Sequence, residues 1–183
     1  MNIKKSILLV LVTVLFTGCG TVKRGTVPWE EKPRENPPAI SVSELPSEKE
    51  VEVNNSASKQ IKERQEFLKL AYNDWKGIPY VWGGSGYNGI DCSAFMQVVF
   101  EDYFFVKIPR TTQEQLTHGR TVRKSNLETG DLVFFKTGRR TYHVGVMVNR
   151  DEFLHASTSE GVKISTLDHP FWEETFLVAR RVM

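Results

Sequence analysis

Five apolar runs in the second half of the chain constrain its fold more than any other feature. Each run is short, is either alternating or continuously apolar, and is separated from the next by turn-forming residues. Runs of this kind are typical of β-strands with one or both faces buried. We therefore predict an antiparallel sheet of about five strands. The runs are Asp131–Lys136, Tyr142–Asn149, Glu152–Ser157, Gly161–Ser165 and Phe176–Val182.

Helical patterns precede these runs. Helices are predicted over Ser58–Gly77, Asp91–Tyr103 and Pro109–His118, from apolar residues at helical spacing and from residues suited to cap a helix at either end. A chain with helices first and strands afterwards is expected to be an α+β domain rather than a parallel βαβ repeat. We expect the helices to pack on one antiparallel sheet.

The first 18 residues have the pattern of a secretory signal. Lys4 and Lys5 precede the apolar run Ile7–Phe16, which is too short to span a bilayer, and small residues then precede Cys19. The stretch "LFTGC" resembles a bacterial lipobox, which implies a lipid on Cys19. The residue after it, Gly20, is not the Asp used for inner-membrane retention, so the resemblance points to the outer membrane. An ordinary secretory signal is the alternative.

Residues 19–57 are poor in large apolar residues and hold five of the eight prolines. We predict a disordered tether between a lipidated Cys19 and a single domain over residues 58–183, with the signal peptide at residues 1–18. Once Lys4 and Lys5 are removed with the signal, basic and acidic side chains balance. Bulk charge therefore gives no reason to expect a nucleic-acid partner.

Cys92, in the stretch "GIDCSAF", is the one thiol left if Cys19 carries lipid, so no disulfide is expected. Asp91 is a good N-cap and places Cys92 in the first turn of the second predicted helix. The unpaired N–H groups and the macrodipole of a helix start favour a thiolate. The alternative is that Cys92 is a small buried core residue.

His143 and His155 lie on two successive predicted strands. If the loop Asn149–Asp151 has three residues, His155 faces Gly145 and His143 faces Ser157 across the hairpin. The two histidines are then diagonal neighbours on one face, about 7 to 8 Å apart at the backbone. A two-residue loop would place them on opposite faces. Helix-start Cys, strand His and an orienting second His follow the logic of cysteine peptidases.

Other interpretations of the histidines stay open at this point. The two strand histidines could be ordinary half-buried ring donors, and one Cys with two His could also hold a catalytic zinc. The sequence has no helical His pair of the metalloprotease type. His118, beside Gly119, and His169, before Pro170, are best explained by local structural roles.

Five segments in order resemble the NlpC family of papain-like cell-wall cysteine peptidases. They are "GIPYVWGGSGYNGIDCSAF", "IPRTTQEQ", "LETGDLVFF", "HVGVMV" and "FLHAST". The likeness covers Gly77–Ser159, and the flanking helix and last strand extend it to most of residues 58–183. A lipobox and tether joined to one such domain are similar to the small lipoproteins of the NlpC and Spr kind.

The resemblance implies a papain-like fold in which Cys92 is the nucleophile, His143 the general base and His155 the residue that orients it. Tyr80 would help the Cys92 backbone N–H to hold the oxyanion. Two further positions, Asp91 and Ser93, match residues that approach the substrate in relatives, although Asp91 is also explained as a helix cap. No metal or organic cofactor is implied.

The implied activity is hydrolysis of amide bonds in the stem peptides or cross-links of peptidoglycan, through an acyl-enzyme. The implied location is the periplasmic side of the outer membrane, through a lipid anchor at Cys19, and we expect a monomer. A catalytically silent lipoprotein that binds the wall is one alternative. A transferase that uses the same thioester is another.

Overall fold

The computed structural model describes the backbone of residues 48–183 and the side chains from residue 55 onward. The predicted signal peptide, Cys19 and most of the predicted tether lie outside the described residues. None of the helices in the described part of the chain is both long and apolar enough to cross a bilayer.

The first helix, α1, spans Glu48–Trp75 and ends before Gly77, which has a φ of 77°. The predicted start at Ser58 is therefore wrong, and α1 includes the last residues assigned to the tether. Apolar periodicity marks only the end of α1 that packs on the domain, where Leu68 and Ala71 are fully buried. Residues 55–63 are exposed, and residues 48–57 are mostly polar in sequence, so these turns carry no amphipathic signal.

A short hairpin and three helical segments lie between α1 and the main sheet. Strands β1 (Ser85–Gly86) and β2 (Gly89–Ile90) pair antiparallel. Helix α2 (Cys92–Val98) continues into one π-helical turn, Val99–Tyr103, so the predicted extent is confirmed. Helix α3 is limited to Thr112–Gln115.

Helix α3 is shorter than predicted because its capping box fixes the start. The Thr111 side chain accepts from the Glu114 N–H, and the Glu114 carboxylate accepts from the Thr111 N–H. Pro109 and Arg110 therefore precede the helix instead of opening it. A capping box is a strong local signal, and Thr111-x-x-Glu114 is visible in the sequence.

The main sheet has six antiparallel strands in the order β3–β8–β4–β5–β6–β7. All five predicted strands are confirmed, with ends that shift by at most two residues. The additional strand, β3, has only three residues, and its polar start gives no alternating pattern. The strands are β3 (Arg120–Val122), β4 (Leu132–Lys136), β5 (Tyr142–Met147), β6 (Glu152–Ser157), β7 (Gly161–Thr166) and β8 (Phe176–Arg181). A single 3₁₀ turn, Lys124–Asn126, separates β3 from β4.

Each face of the sheet carries its own core. On one face α2 packs on β5 and β6, and α1 packs on β7 and on the π-helical turn, with Phe95, Val144 and Leu154 among the buried side chains. On the other face, Phe135 and Phe153 pack against the last helix, α4 (Pro170–Thr175). The predicted α+β architecture, with helices packed on an antiparallel sheet, is confirmed. Helix α4 was not predicted.

Candidate active site

Asp91 fixes the start of helix α2. Its backbone is extended and its carboxylate Oδ1 accepts the Ala94 N–H at 2.7 Å, which is N-cap geometry. Cys92 is therefore the first residue of α2, as the sequence predicts. The cysteine is free and only 5% exposed.

A charged pair lies beside the start of α2. Arg110 donates from Nη2 to Asp91 Oδ2 at 2.7 Å and from Nη1 to Asp91 Oδ1 at 3.1 Å. Arg110 Nη1 also reaches Ser93 Oγ at 3.1 Å, and the Ser93 hydroxyl donates to Asp91 Oδ1 at 3.0 Å. The Gly83 N–H donates to Asp91 Oδ2 at 3.2 Å. One carboxylate thus ties together the glycine loop, the start of α2 and the segment before α3.

The Asp91 carboxylate is charged in this setting. Burial alone would raise the pKa of Asp91, but hydrogen bonds from Arg110, the Ala94 N–H and Ser93 together hold it below its ordinary value. In the free protein the polar atoms of Asp91 and Ser93 are bonded to Arg110 and to each other. The assignment of these two residues to substrate contact stays a prediction.

The Cys92 thiol lies between α3 and β5. Its sulfur is 3.7 Å from Thr112 Oγ1, and the backbone N–H of Val144 on β5 lies near enough to lower the pKa of the thiol. Burial raises the pKa of the Cys92 thiol, and these hydrogen bonds offset that rise only in part. The resting site thus holds a neutral thiol at neutral pH. This differs from the expectation that the helix start alone would favour the thiolate.

The β5–β6 hairpin has the predicted register. Val146 pairs with Leu154 and Met147 with Phe153, which centres the connection on Arg150. His143 and His155 consequently share one face of the sheet, as the three-residue loop requires.

Two contacts define the histidine pair. His143 Nε2 lies 2.8 Å from His155 Nδ1, and the rings meet edge to face. A Cβ at Gly145 would lie 3.2 Å from the Cβ of His155 and 2.9 Å from the Leu154 carbonyl oxygen. Glycine at position 145 therefore provides the space that the His155 side chain and its strand occupy.

The pair continues to a third side chain. His155 Nε2 lies 2.9 Å from Ser165 Oγ on β7, where Ser165 pairs with Phe153 and Lys163 pairs with His155. Ser165 was not predicted as a site residue. The same diagonal parity that relates the two histidines could have identified it, since Ser165 is diagonal to His155 across β6 and β7.

Trp172 of α4 packs against both imidazoles. Its ring is stacked on that of His143, with centroids 5.5 Å apart and 27° between the planes, and it meets His155 edge to face at 5.1 Å. Sequence reasoning also missed this residue. The one local signal for α4 is His169 followed by Pro170, an N-cap with proline at the first helical position.

Both imidazoles are neutral at neutral pH. Burial lowers the pKa of His143 to about 4. Burial, then the charges of His143 and Lys163, lower the pKa of His155 to about 2. A neutral imidazole has one N–H and one lone pair, so each ring donates at one nitrogen and accepts at the other.

The thiol lies beside β5, the strand that carries His143. Val144, which packs in the same core as Cys92, directly follows His143 in the chain, whereas the His143 ring packs on Trp172. Within residues 55–183, no hydrogen bond joins the thiol to either imidazole. Because His143 Nε2 is used by His155, Nδ1 is the nitrogen of that ring that could exchange a proton with the thiol. Such contacts are often long in the absence of substrate.

Two cavities flank these residues. One of about 350 Å³ is lined by Cys92, Tyr80, Asp91 and Arg110 among others. The other, of about 520 Å³, is lined by His143 and the side chains bonded to it or packed on it: His155, Ser165 and Trp172. The structure therefore has space for a bound peptide next to the thiol and next to the imidazoles.

Tyr80 lies on the wall of the cavity that holds the thiol. Burial, then the charges of Cys92 and Asp91, raise the pKa of Tyr80 to about 12. Its hydroxyl stays protonated and is able to donate a hydrogen bond to an anion. This is the property that the predicted oxyanion role requires.

The other two histidines, His118 and His169, make local backbone contacts, and His169 also lines the cavity of about 520 Å³. His169 caps α4, and its Nδ1 accepts the Phe171 N–H at 3.3 Å. His118 lies beyond α3, where its backbone N–H donates to the Gln115 carbonyl oxygen. Among the side chains that the structure describes, no group of three or more His, Cys, Asp or Glu is arranged to hold a metal ion.

The model of the NlpC/P60 family matches residues 77–181. A probable endopeptidase of Haemophilus influenzae is 48% identical over 117 residues, which cover 63% of this chain and 73% of that protein. An Escherichia coli protein named murein DD-endopeptidase MepS/murein LD-carboxypeptidase is also 48% identical, over 61% of this chain and 60% of its own length. The match thus spans somewhat less than two thirds of the Escherichia coli relative.

Solved structures give the same likeness. An NlpC/P60 family protein from Bacillus cereus superposes with a TM-score of 0.59 at 28% identity, covering 65% of this chain and 40% of the other. The peptidoglycan hydrolase RipB from Mycobacterium tuberculosis superposes with a TM-score of 0.55 at 25% identity, covering 68% and 67% of the two chains.

Proposed function

The chain belongs to the NlpC/P60 family, and we propose that it is a cysteine peptidase that hydrolyses amide bonds in the stem peptides or cross-links of peptidoglycan. One observation carries the proposal. The free Cys92 begins a helix in the wall of a cavity, and this helix packs on β5 and β6, the strands that carry the hydrogen-bonded His143–His155 pair. Relatives named as murein endopeptidases support the substrate class.

In the proposed reaction His143 is the base. Its neutral ring takes the thiol proton at Nδ1 as the Cys92 sulfur attacks the carbonyl carbon of the scissile amide. Both groups start uncharged, so the thiolate forms only as the attack proceeds. The Tyr80 hydroxyl and the Cys92 backbone N–H donate to the oxygen that becomes negative.

The same imidazole completes the cycle. The proton on His143 passes to the leaving amine, the carbon–nitrogen bond breaks, and a thioester to Cys92 remains. Water then attacks the thioester while His143 accepts its proton, and the thiol is regenerated with release of the free acid. His155 accepts from His143 Nε2–H throughout, which keeps the reactive nitrogen of His143 free and its ring in place.

We also propose that the protein is a lipoprotein of the outer membrane that faces the periplasm. The stretch "LFTGC" supports a lipid on Cys19, and the polar, proline-rich residues 19–57 would separate the membrane from the domain. The proposed partners are peptidoglycan stem peptides and the membrane, and the proposed state is a monomer. Labelled palmitate should be incorporated by the natural chain but not by Cys19→Ser.

Digestion of isolated peptidoglycan tests the proposed activity. The full chain, purified in detergent, should release soluble fragments whose masses identify the bond that was cut. Cys92→Ala should release none, while Cys19→Ser should retain the activity because position 19 has no part in the reaction. If the natural chain releases no more peptide than Cys92→Ala, the peptidase proposal is wrong and a silent wall-binding role is favoured.

A further inference from the structure

The hydrogen-bond chain from His143 does not end at His155. His143 Nε2 is 2.8 Å from His155 Nδ1, and His155 Nε2 is 2.9 Å from Ser165 Oγ. Nε2 of each histidine thus has one partner, which belongs to the following residue of this hydrogen-bond chain. The two bonds connect the proton positions of both imidazoles to one serine hydroxyl.

Only one arrangement of protons suits the proposed base. For His143 to accept a proton at Nδ1, its own proton must be on Nε2, where it is donated to His155 Nδ1. His155 then carries its proton on Nε2 and donates it to the oxygen of Ser165. In the opposite arrangement Ser165 donates to His155, His155 donates to His143, and the proton of His143 is on Nδ1, so that nitrogen is not a base.

We propose that Ser165 is a positioning residue whose oxygen accepts the His155 Nε2–H and thereby holds His143 in the tautomer with a free Nδ1. The inference rests on the proposed function, because it names the residue that sets the state of the proposed base. Ser165 touches neither the thiol nor the substrate in this scheme. It acts through His155 alone.

The surroundings of Ser165 favour its role as acceptor. Ser165 is half-buried and lines the cavity of about 520 Å³, so its own hydroxyl hydrogen can bond water there. Lys163, which pairs with His155 across the sheet, opposes a positive charge on that ring. Lys163 is itself bonded to Glu160 at 2.7 Å and does not compete for the His155 nitrogen.

Matched variants of the full chain isolate the hydroxyl. Ser165→Thr keeps a hydroxyl on the strand. Ser165→Val has nearly the same shape as Ser165→Thr but lacks the hydroxyl. Ser157→Ala removes a neighbouring hydroxyl of the same cavity that bonds Ser159 instead of the histidines. Thermal unfolding of each variant checks that it is folded.

Two readouts follow. The nitrogen chemical shifts of labelled histidines should report protons on Nε2 of both rings in the natural chain and in Ser165→Thr, and a mixture of tautomers in Ser165→Val. With soluble cross-linked muropeptides, Ser165→Val should lower kcat about tenfold with little change in KM, the effect of one lost hydrogen bond. Ser165→Thr and Ser157→Ala should remain near the natural rate.

The outcomes separate the inference from the function on which it rests. If Ser165→Val keeps both rings protonated on Nε2, the inference is wrong whatever its rate. If the natural chain cuts no muropeptide, the proposed function fails, and the tautomers still decide the role of Ser165. A fall in kcat that Ser157→Ala shares would also overturn the inference, because it would reflect a disturbed cavity and not the bond to His155.

Discussion

His143 and His155 form a buried pair in which one neutral ring donates to the other across 2.8 Å. A charged pair would have to overcome the burial that keeps both rings uncharged. In the proposed reaction a positive charge appears on His143 only while it carries the proton of the thiol or of the attacking water. The neutral acceptor on His155 and the ring face of Trp172 then stabilise that charge.

Replacement of His155 should therefore affect the rate more than substrate binding. His155→Ala removes the acceptor of the His143 Nε2–H in a fully buried place, and we expect kcat to fall by about 10²-fold, comparable to loss of a buried hydrogen bond to a charged group. His155→Asn keeps a carbonyl oxygen and should recover part of this loss. Steady-state kinetics on muropeptides measure both variants. Equal rates for Ala and Asn would contradict the orienting role.

Gly145→Ala should disturb the same pair from the backbone. A Cβ at position 145 would lie 2.6 Å from Phe153 Cδ2 and 2.9 Å from the Leu154 carbonyl oxygen, so β6 must shift. We expect a loss of about 1–3 kcal/mol in the free energy of unfolding, together with lower activity. Gly86→Ala is the matched control, because nothing lies within 4 Å of a Cβ there. Urea unfolding compares the two.

The sequence was sufficient for the parts of the site that depend on local rules. Asp91 as N-cap fixed the place of Cys92, and the loop centred on Arg150 fixed which face His143 and His155 share. Both inferences use only the chain within a few residues of the side chain concerned. The geometry of a helix start and the two-residue period of a strand leave little freedom there.

Two of the missed residues depend on contacts between distant elements: Arg110 meets Asp91 and Trp172 meets His143 only because these elements pack together. Ser165 instead follows from the pairing of the neighbouring strands β6 and β7, which the diagonal rule predicts. The start of α1 was missed for a different reason, since the sequence of its first turns is mostly polar and has no periodic apolar signal. The raised pKa of the Cys92 thiol likewise results from burial, which a helix position alone does not reveal.

Arg110→Ala should destabilise the start of α2. The Asp91 carboxylate would lose the guanidinium that bonds both of its oxygens. We expect the free energy of unfolding to fall by about 1–2 kcal/mol, a modest loss because Arg110 is partly exposed. Arg110→Lys cannot reproduce the two-pronged contact and should recover only part of this. Glu160→Gln breaks the exposed pair with Lys163 and should cost little. If Arg110→Ala lowers the free energy of unfolding no more than Glu160→Gln does, the Asp91–Arg110 pair stabilises the fold no more than an exposed ion pair.

The buried histidines predict that the folded state weakens in mild acid. In the unfolded chain a histidine gains its proton near pH 6.5, whereas burial lowers the pKa of His143 to about 4 and that of His155 to about 2. Between those values the unfolded state binds more protons, so the free energy of unfolding should fall as pH drops below about 6.5, by ~1.4 kcal/mol per pH unit for each ring. The lowered pKa of Asp91 acts in the same direction at still lower pH, as that carboxylate gains its proton.

Urea unfolding at a series of pH values measures the slope. His143→Gln and His155→Gln should each remove one ring's share of it, and a slope that neither variant changes would show that these rings do not cause the acid sensitivity.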